Sequence, residues 1–141
     1  MMLGLYRHAV WARWFYALLA SAIIFTQSSY PVQVPGKIPH LDKAIHFAMY
    51  FGLCLAYFNV ATRGGARTSA RACGVAFLLA VAYGLSDEWH QSTVPGRSAD
   101  WEDVLADASG AAAAIWLAWR LRERSAHWGQ PSEPGPAQAP K

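Results

Sequence analysis

Charged residues are scarce in this sequence. Of its 141 residues, 15% are Asp, Glu, Lys or Arg, whereas soluble domains contain about 25%. The twelve basic residues form no block and no single face, which argues against a nucleic-acid partner. The sequence has no HExxH motif, no G-x-S-x-G motif and no internal repeat. It therefore lacks the patterns of zinc proteases, of serine hydrolases and of repeat proteins.

Cysteine is also rare, since Cys54 and Cys73 are the only two. Both lie in or at the edge of apolar runs, and neither has the spacing that is typical of metal ligands. We expect two free thiols that pack as small hydrophobic side chains.

Hydrophobic sequence is abundant. Hydrophobic residues make up 54% of the chain, with seven Trp, although polar loops and a polar tail hold the mean hydropathy at +0.12. The apolar residues fall into four segments: Trp14–Phe25, Leu41–Val60, Ala72–Leu85 and Val104–Leu121. We predict an all-α protein, a four-helix transmembrane bundle formed by residues 1–124.

The two ends of the chain need separate interpretation. Ala20-Ser21-Ala22 in the first segment offers a signal-peptidase pattern, but the apolar run continues through Ile23–Phe25. We therefore expect an uncleaved first helix. Residues 125–141 are rich in Pro, Gly, Gln and Ala, which predicts a disordered tail.

The third segment is too short to cross a membrane by itself. Its 14 residues would extend about 21 Å as a helix, against a hydrocarbon core of about 30 Å. To span, the helix must recruit Ser86–Gln91, which places Asp87 and Glu88 at or below the membrane surface. The alternative is a soluble helical protein in which this run is a buried helix.

Basic residues are distributed unequally among the loops. Nine belong to the N-terminal region, the second connection or the C-terminal region: Arg7, Arg13, Arg63, Arg67, Arg71, Arg120, Arg122, Arg124 and Lys141. Three belong to the other connections: Lys37, Lys43 and Arg97. This bias predicts that both termini are cytoplasmic. Seven of the nine acidic residues then lie at the outer end.

Polar residues recur at helical spacing at this outer end. Three pairs are four positions apart: Asp42 with His46, Asp87 with Gln91, and Asp103 with Asp107. Each pair shares one helix face. A buried acid either binds a proton or finds a cation, and the cations available are Lys43, Arg97 and a protonated His46 or His90. We predict that Arg97 is the main partner, because its guanidinium fork suits carboxylates.

Ordinary structural roles compete with this interpretation. Asp42 could be the N-cap of the second helix, and Ser98 or Asp100 can cap the fourth. Asp100 and Glu102 are also typical first-turn acids, and His90 can be a surface residue.

Metal binding is a further alternative. A divalent cation could be bound by a mixed set of carboxylate and imidazole side chains. The candidates are Asp42, His46, Glu88, His90 and Asp103. No spacing motif supports such a site, so we expect no cofactor and retain only His46, Glu88 and His90 as metal candidates.

Small residues occur at four-residue steps in the fourth segment: Ala106, Gly110 and Ala114. This pattern lets transmembrane helices approach closely. It predicts packing within the bundle, with a homodimer through the same residues as the alternative.

Several short motifs occur in a fixed order between residues 38 and 121. They are Asp42-Lys43 with His46-Phe47, Tyr83-Gly84, Asp87-Glu88 with Gln91, Pro95-Gly96-Arg97, Asp103 and Gly110. In this order the chain resembles the VanZ-like family of small bacterial integral membrane proteins. The resemblance implies a multi-pass protein of the bacterial inner membrane. The family's founding member is associated with low-level resistance to the glycopeptide teicoplanin, which implies a role in the cell envelope. One departure is Asp107, where the family pattern commonly has Asn.

Two hypotheses of different classes follow. The first is an envelope protein without enzymatic activity that binds a polar headgroup, a lipid-linked cell-wall intermediate or a glycopeptide. The second is a membrane-embedded enzyme that acts on such a lipid, with Asp42, His46, Glu88 and Asp103 as catalytic candidates. The predicted ligand-binding residues are Asp42, Lys43, His46, Asp87, Glu88, Gln91, Arg97, Asp103 and Asp107. The expected partner is a membrane lipid or lipid-linked substrate.

Overall fold

The computed structural model describes residues 2–30, 40–63 and 68–128, and the regular secondary structure of this part of the chain is α-helix throughout. It has four helices: α1 (Met2–Ser28), α2 (Leu41–Ala61), α3 (Ala70–Ser92) and α4 (Trp101–Trp128). Each contains a stretch long and apolar enough to cross a membrane: Ala9–Ser28, Leu41–Ala61, Ala70–Ser92 and Trp101–Arg122. The predicted all-α bundle of four spanning helices is therefore confirmed.

Helix α3 is long because it recruits the polar residues that follow its apolar run. Its 23 residues extend about 35 Å, enough to cross the hydrocarbon core. The final turns bury Asp87, Glu88 and Gln91, as the short apolar run predicted. Ser69 begins the helix as its N-cap, because its Oγ accepts a hydrogen bond from the Ala72 N–H at 3.2 Å.

The N-terminal ends of α4 and α2 test the capping roles predicted for Asp100 and Asp42. Asp100 precedes α4, and its Oδ1 accepts a hydrogen bond from the Glu102 N–H at 2.9 Å, so the predicted capping role of Asp100 is confirmed. Helix α2 begins after His40, which has a left-handed backbone with φ of 60° and makes no capping hydrogen bond through its side chain. Asp42 is therefore not the N-cap of α2.

Helix α2 lies at the centre of the bundle and contacts each of the other three helices. Its closest neighbour is α4, where a Cβ added at Gly110 would collide with the backbone of Phe47. Next to this contact, Ala111 and Ala114 pack with Cys54 of α2 in a fully buried core. Small residues thus allow two spanning helices to touch at their backbones.

The small-residue pattern of α4 is used within one chain. Gly110 and Ala114 are buried, and Ala106 is half-buried, in agreement with the predicted internal packing. A homodimer through the same residues remains a prediction, and it would have to displace α2 from this face.

Helix α1 is joined to its neighbours by hydrogen bonds around Ser21. The Tyr83 hydroxyl of α3 donates to the Ser21 carbonyl at 2.7 Å, and the Ser21 hydroxyl lies 3.0 Å from the Tyr57 hydroxyl of α2. Ile24 adds an apolar contact with Tyr50 and Leu53 of α2. These contacts hold the middle of α1 against α2 and α3.

Both free cysteines agree with the sequence analysis, because Cys54 and Cys73 are buried and form no disulfide. Helix α4 continues to Trp128, four residues into the predicted tail, because no Gly or Pro interrupts it before Gly129. Residues 129–141 lie outside the described part of the chain, so their predicted disorder stays a prediction.

Candidate functional site

The polar residues of three helices meet at one end of the bundle. The first turns of α2, the last turns of α3 and the first turns of α4 lie together there, because successive helices run antiparallel. This end of the bundle, the acidic end, contains seven acidic residues: Asp42, Asp87, Glu88, Asp100, Glu102, Asp103 and Asp107. The predicted convergence of three polar helix ends is seen in the structure.

Lys43 is the principal cation of the acidic end. Its Nζ donates hydrogen bonds to Asp100 Oδ2 at 2.5 Å and to Asp103 Oδ1 at 2.7 Å. Asp42 and Glu102 lie farther from the ammonium, at 3.3 and 3.8 Å. Lys43 thereby links the start of α2 to the start of α4. Its ammonium group also holds the pKa of the Asp100 carboxyl below the usual range.

His46 lies one turn deeper than Lys43, between two carboxylates of α4. Its Nδ1 is 2.9 Å from Asp107 Oδ1, and its Nε2 is 3.7 Å from Asp103 Oδ2. When Asp107 is ionised, its carboxylate can only accept a hydrogen bond, and the hydrogen of this pair then lies on Nδ1. The imidazole is thereby fixed with Nε2 directed toward Asp103.

Three buried polar atoms near His46 have no hydrogen-bond partner among the described residues. They are Glu88 Oε1, Asp107 Oδ2 and the Tyr50 hydroxyl. The other oxygen of Glu88 accepts a hydrogen bond from the Asp100 N–H at 2.8 Å. Unpaired polar atoms in a buried site are costly, by about 1–3 kcal/mol each. Such atoms mark a place where a ligand, an ion or water supplies the missing partner.

Gly84 forms the floor beneath these atoms. A Cβ at this position would lie 2.8 Å from Asp107 Oδ2 and 3.2 Å from the ring of Tyr50. Only glycine leaves room for both side chains, because those distances are shorter than ordinary van der Waals contact. Gly84 thus lets the acid of α4 and the tyrosine of α2 approach α3 closely.

A cavity of about 360 Å³ opens beside His46, between α1, α2 and α3. Asp87 and Gln91 line it, and the Gln91 amide donates to Asp87 Oδ2 at 3.1 Å. The remaining lining residues come from α1, α2 and the loop before α4: Ile23, Gln27, Ser28, Ile45, Met49 and Arg97. One part of the wall is polar and another is apolar.

The predicted role of Arg97 as the main cation is wrong. Arg97 Nη1 donates to the carbonyl oxygens of Gln27 and Tyr30, at 3.1 and 3.0 Å. The Gln27 carbonyl lies in the last turn of α1, where backbone acceptors have no partner within the helix, and the Tyr30 carbonyl lies just beyond the helix. Arg97 therefore holds the end of α1 at the edge of the cavity, and Lys43 is the cation that pairs with Asp100 and Asp103.

His90 lies outside the acidic cluster, contrary to its inclusion among the metal candidates. Its Nε2 is 3.0 Å from the Ser29 hydroxyl, and its ring stacks on Phe25 at 4.6 Å. The face of α3 that carries His90 is therefore directed toward α1. Asp42 is peripheral for a different reason, because its side chain is 63% exposed.

His46, Glu88 and Asp103 are close enough to share a small ligand. One ligand atom from each residue lies within 4.8 Å of the others. A fixed imidazole beside two carboxylates can move a proton, hold an ion or accept hydrogen bonds from hydroxyl and ammonium groups. The predicted site residues that meet here are Lys43, His46, Glu88, Asp103 and Asp107, with Asp87 and Gln91 next to them in the cavity.

The sequence was compared with models of known protein families. The sequence model of the VanZ/LLP1 family matches residues 6–122, which is most of the chain and includes every residue of the acidic end. The chain belongs to the VanZ/LLP1 family. Neither the proteins of curated function nor the solved structures contain a significant match. The protein is thus a multi-pass membrane protein of VanZ type, as the resemblance implied.

Two residues of this VanZ-type site were not among the predicted site residues. Tyr50 is fully buried and stacks parallel to His46, with ring centroids 6.4 Å apart. Its position four residues after His46 could have identified it, because i and i+4 share a helix face. Gly84 belongs to a family motif, but no spacing in the sequence shows which side chains lie over it.

Proposed function

We propose that this VanZ/LLP1 family protein binds the polar headgroup of a membrane lipid or of a lipid-linked cell-wall intermediate. The observation that carries the proposal is the cavity beside His46, whose wall is polar on one part and apolar on the other. An amphipathic cavity of this kind suits a ligand that has a polar group attached to a hydrocarbon chain.

The apolar part of the cavity wall favours a ligand that arrives from the lipid. Ile23 of α1 and Ile45 of α2 line the cavity and are also 51% and 42% exposed on the bundle surface. In a spanning bundle such side chains face hydrocarbon. A lipid could therefore place its headgroup near Asp87 and His46 while its chain stays beside the two isoleucines. A free glycopeptide would have to enter past the same apolar edge.

The chemistry of the acidic end indicates a headgroup that donates hydrogen bonds. Asp87 and Gln91 line the cavity, and the carboxylate of Asp87 and the amide oxygen of Gln91 accept hydrogen bonds from hydroxyl or ammonium groups. Lys43 is already held by Asp100 and Asp103. Sugar hydroxyls and amines fit this surplus of acceptors better than a bare phosphate does.

The site belongs at the extracytoplasmic side in this proposal, with the protein in the bacterial inner membrane. The support is the distribution of basic residues along the sequence, nine of which belong to the N-terminal region, the connection between α2 and α3, or the C-terminal region. A cell-wall intermediate would meet the site on the face of the membrane where the wall is assembled.

An enzyme that acts on the same lipid is the second candidate. It is favoured by the His46–Asp107 pair at 2.9 Å, which resembles an imidazole oriented by a carboxylate, and by the unpaired oxygen of Glu88. His46 would act as the base, and Glu88 would exchange a proton with the substrate. Formation of a product from a bound lipid would select this candidate.

The test fills the cavity without changing its charge. In Ile45→Trp, the larger ring occupies the apolar edge of the cavity, and we expect binding of a purified lipid-linked cell-wall precursor to weaken about tenfold or more. Leu78→Trp is the matched control, because Leu78 is 65% exposed on α3 and does not line the cavity. Binding is measured on the full-length protein in detergent by native mass spectrometry, with teicoplanin as a second ligand.

The proposal predicts that the Leu78→Trp protein binds the precursor like the wild type. Equal binding by the Ile45→Trp and wild-type proteins would contradict it, as would the absence of any lipid binding. Binding of teicoplanin alone would replace the lipid with a soluble glycopeptide ligand.

A further inference from the structure

His46, Glu88 and Asp103 form a compact group that the headgroup proposal does not require. We infer that these three residues bind one divalent transition-metal ion at the acidic end of the bundle. The inference rests on their own geometry and partners, and it holds whether or not the neighbouring cavity binds a lipid.

The first argument is that each carboxylate has one oxygen engaged by the protein. Asp103 Oδ1 accepts from Lys43 at 2.7 Å, and Glu88 Oε2 accepts from the Asp100 N–H at 2.8 Å. This leaves Asp103 Oδ2, which faces His46 Nε2 at 3.7 Å, and Glu88 Oε1. A ligand atom from each of the three residues lies within 4.8 Å of the others.

The second argument comes from the unpartnered atoms. Glu88 is only 4% exposed and Asp107 only 1%, yet Glu88 Oε1 and Asp107 Oδ2 have no partner among the described residues. Buried carboxylate oxygens without a donor are rare unless an ion or water completes them. A cation bound beside His46 would give Glu88 Oε1 the partner it lacks.

The third argument concerns the residues behind the three ligands. His46 Nδ1 contacts Asp107 Oδ1 at 2.9 Å, which directs Nε2 and its lone pair toward Asp103. Histidine ligands of metals commonly donate their other N–H to a carboxylate in this way. The lone pair of His46 Nε2 and the negative charge on Asp103 Oδ2, 3.7 Å apart, repel each other unless a proton or a cation lies between them.

The donor set indicates the class of ion. One imidazole nitrogen with two carboxylate oxygens suits Zn²⁺ or Mn²⁺, whereas Mg²⁺ and Ca²⁺ prefer oxygen ligands throughout. Zn²⁺ binds such atoms at about 2.0–2.2 Å, so the three ligands must draw in from their present separations, and the flexible Glu88 side chain allows that. Three protein ligands leave at least one position for water or for an oxygen of a bound molecule.

The experiment measures metal content directly. The full-length protein, purified in detergent without a histidine tag, is stripped with a chelator, equilibrated with Zn²⁺ or with Mn²⁺, and analysed for bound metal. We expect about one ion per chain and a rise in Tm with metal concentration. Glu88→Gln and Asp103→Asn keep the shapes of the side chains, and each should weaken binding at least about tenfold.

Two controls use residues of the same types that lie outside the group. His90→Gln changes a histidine directed toward α1, and Glu102→Gln changes an acid at the edge of the Lys43 cluster. Both variants should retain about one ion per chain. A circular-dichroism spectrum and a Tm for each metal-free variant establish that a loss of metal is not a loss of folding.

Two results would overturn the inference. One is a folded wild-type protein that retains no metal at saturating Zn²⁺ or Mn²⁺. The other is equal binding by the wild type, Glu88→Gln and Asp103→Asn proteins, which would move the ion elsewhere. Lipid binding is measured in parallel with and without chelator. If the protein binds lipid but no metal, only the metal inference is refuted. If it binds metal but no lipid, only the proposed function is refuted.

Discussion

The two ends of the bundle carry charge in different ways. At the end opposite the acidic one, the basic end, Arg63, Arg71, Arg120 and Arg122 are exposed, and Arg120 and Arg122 lie over the rings of Trp116 and Trp119 at 5.5 and 5.7 Å. Their charges reach water while their aliphatic stems cover apolar surface. At the acidic end, in contrast, Glu88, Asp103 and Asp107 are buried.

Cavity size does not distinguish the two ends. The basic end has a cavity of about 390 Å³ lined by Val10, Arg13, Trp14, Val60 and Arg63, close in volume to the one beside His46. The described lining residues there include no buried polar atom without a partner. The charge at the basic end is therefore exposed to solvent, whereas the burial of charge at the acidic end calls for a ligand.

The largest expected difference between the two ends is the side of the membrane on which each one lies. Ser98→Cys introduces an exposed thiol at the acidic end, and Arg71→Cys does so at the basic end. We expect an impermeant thiol reagent to label only Ser98→Cys in intact cells, and both after permeabilisation, because the basic end should be cytoplasmic. The wild type is the background control, since Cys54 and Cys73 are buried. Labelling of Arg71→Cys in intact cells would reverse the orientation.

A second prediction removes one cation from each end. Lys43→Met leaves the buried Asp103 without its ammonium partner, and we expect a loss of about 2–3 kcal/mol, reduced from the value for fully buried pairs because Lys43 is partly exposed. Arg71→Met removes an exposed charge at the basic end and should change stability by less than about 0.5 kcal/mol. Thermal unfolding in detergent measures both. Equal effects would mean that the acidic end is as well solvated as the basic end.

A third prediction compares two glycines of α3. In Gly84→Ala the new methyl group would meet Asp107 and Tyr50, so we expect a loss of about 1–2 kcal/mol from overpacking together with weaker ligand binding. A Cβ at Gly74 meets nothing within 4 Å, so Gly74→Ala should be neutral or stabilising by up to about 1 kcal/mol. The comparison is made by Tm. A Gly84→Ala protein as stable as Gly74→Ala would show that the floor of the site is loosely packed.

Much of the fold could be predicted because its causes are local. Apolar runs predict spanning helices, and the length of the third run required Asp87 and Glu88 to join the helix, as they do. The capping role of Asp100 is likewise a local property. These features depend only on neighbouring residues and on the thickness of a membrane.

The error in the site concerned which face of each helix points inward. On α2, the residues that meet the cluster are Lys43, His46 and Tyr50, at steps of three and four, whereas Asp42 lies at the exposed edge. The spacing of Asp42 and His46 paired His46 with the exposed Asp42, whereas in the structure Lys43 takes that place beside His46. A single pair four residues apart fits more than one helix face, and only contacts with another helix decide between them.

The partner of the acids depended on a loop. Gly96 has a φ of 83°, a backbone conformation that glycine adopts readily, and the residue after it, Arg97, reaches the end of α1. No feature of the sequence gives the direction in which this turn sends Arg97. Counting the basic residues on each side of the membrane identified Lys43 and Arg97 as possible partners of the acids. It gave no distance between either cation and any carboxylate.

The backbone contact between Gly110 and Phe47 has a consequence for ligand affinity. Helices whose backbones are in contact cannot easily slide or tilt against each other. The side chains at the acidic end of α2 and α4 therefore project from one rigid pair of helices: Lys43 and His46 from α2, and Asp103 and Asp107 from α4. A ligand that binds among them finds these four side chains preorganised, and little of the interaction free energy is spent on ordering them. Glu88 comes from α3, outside that helix pair, and is the group best placed to adjust to what binds.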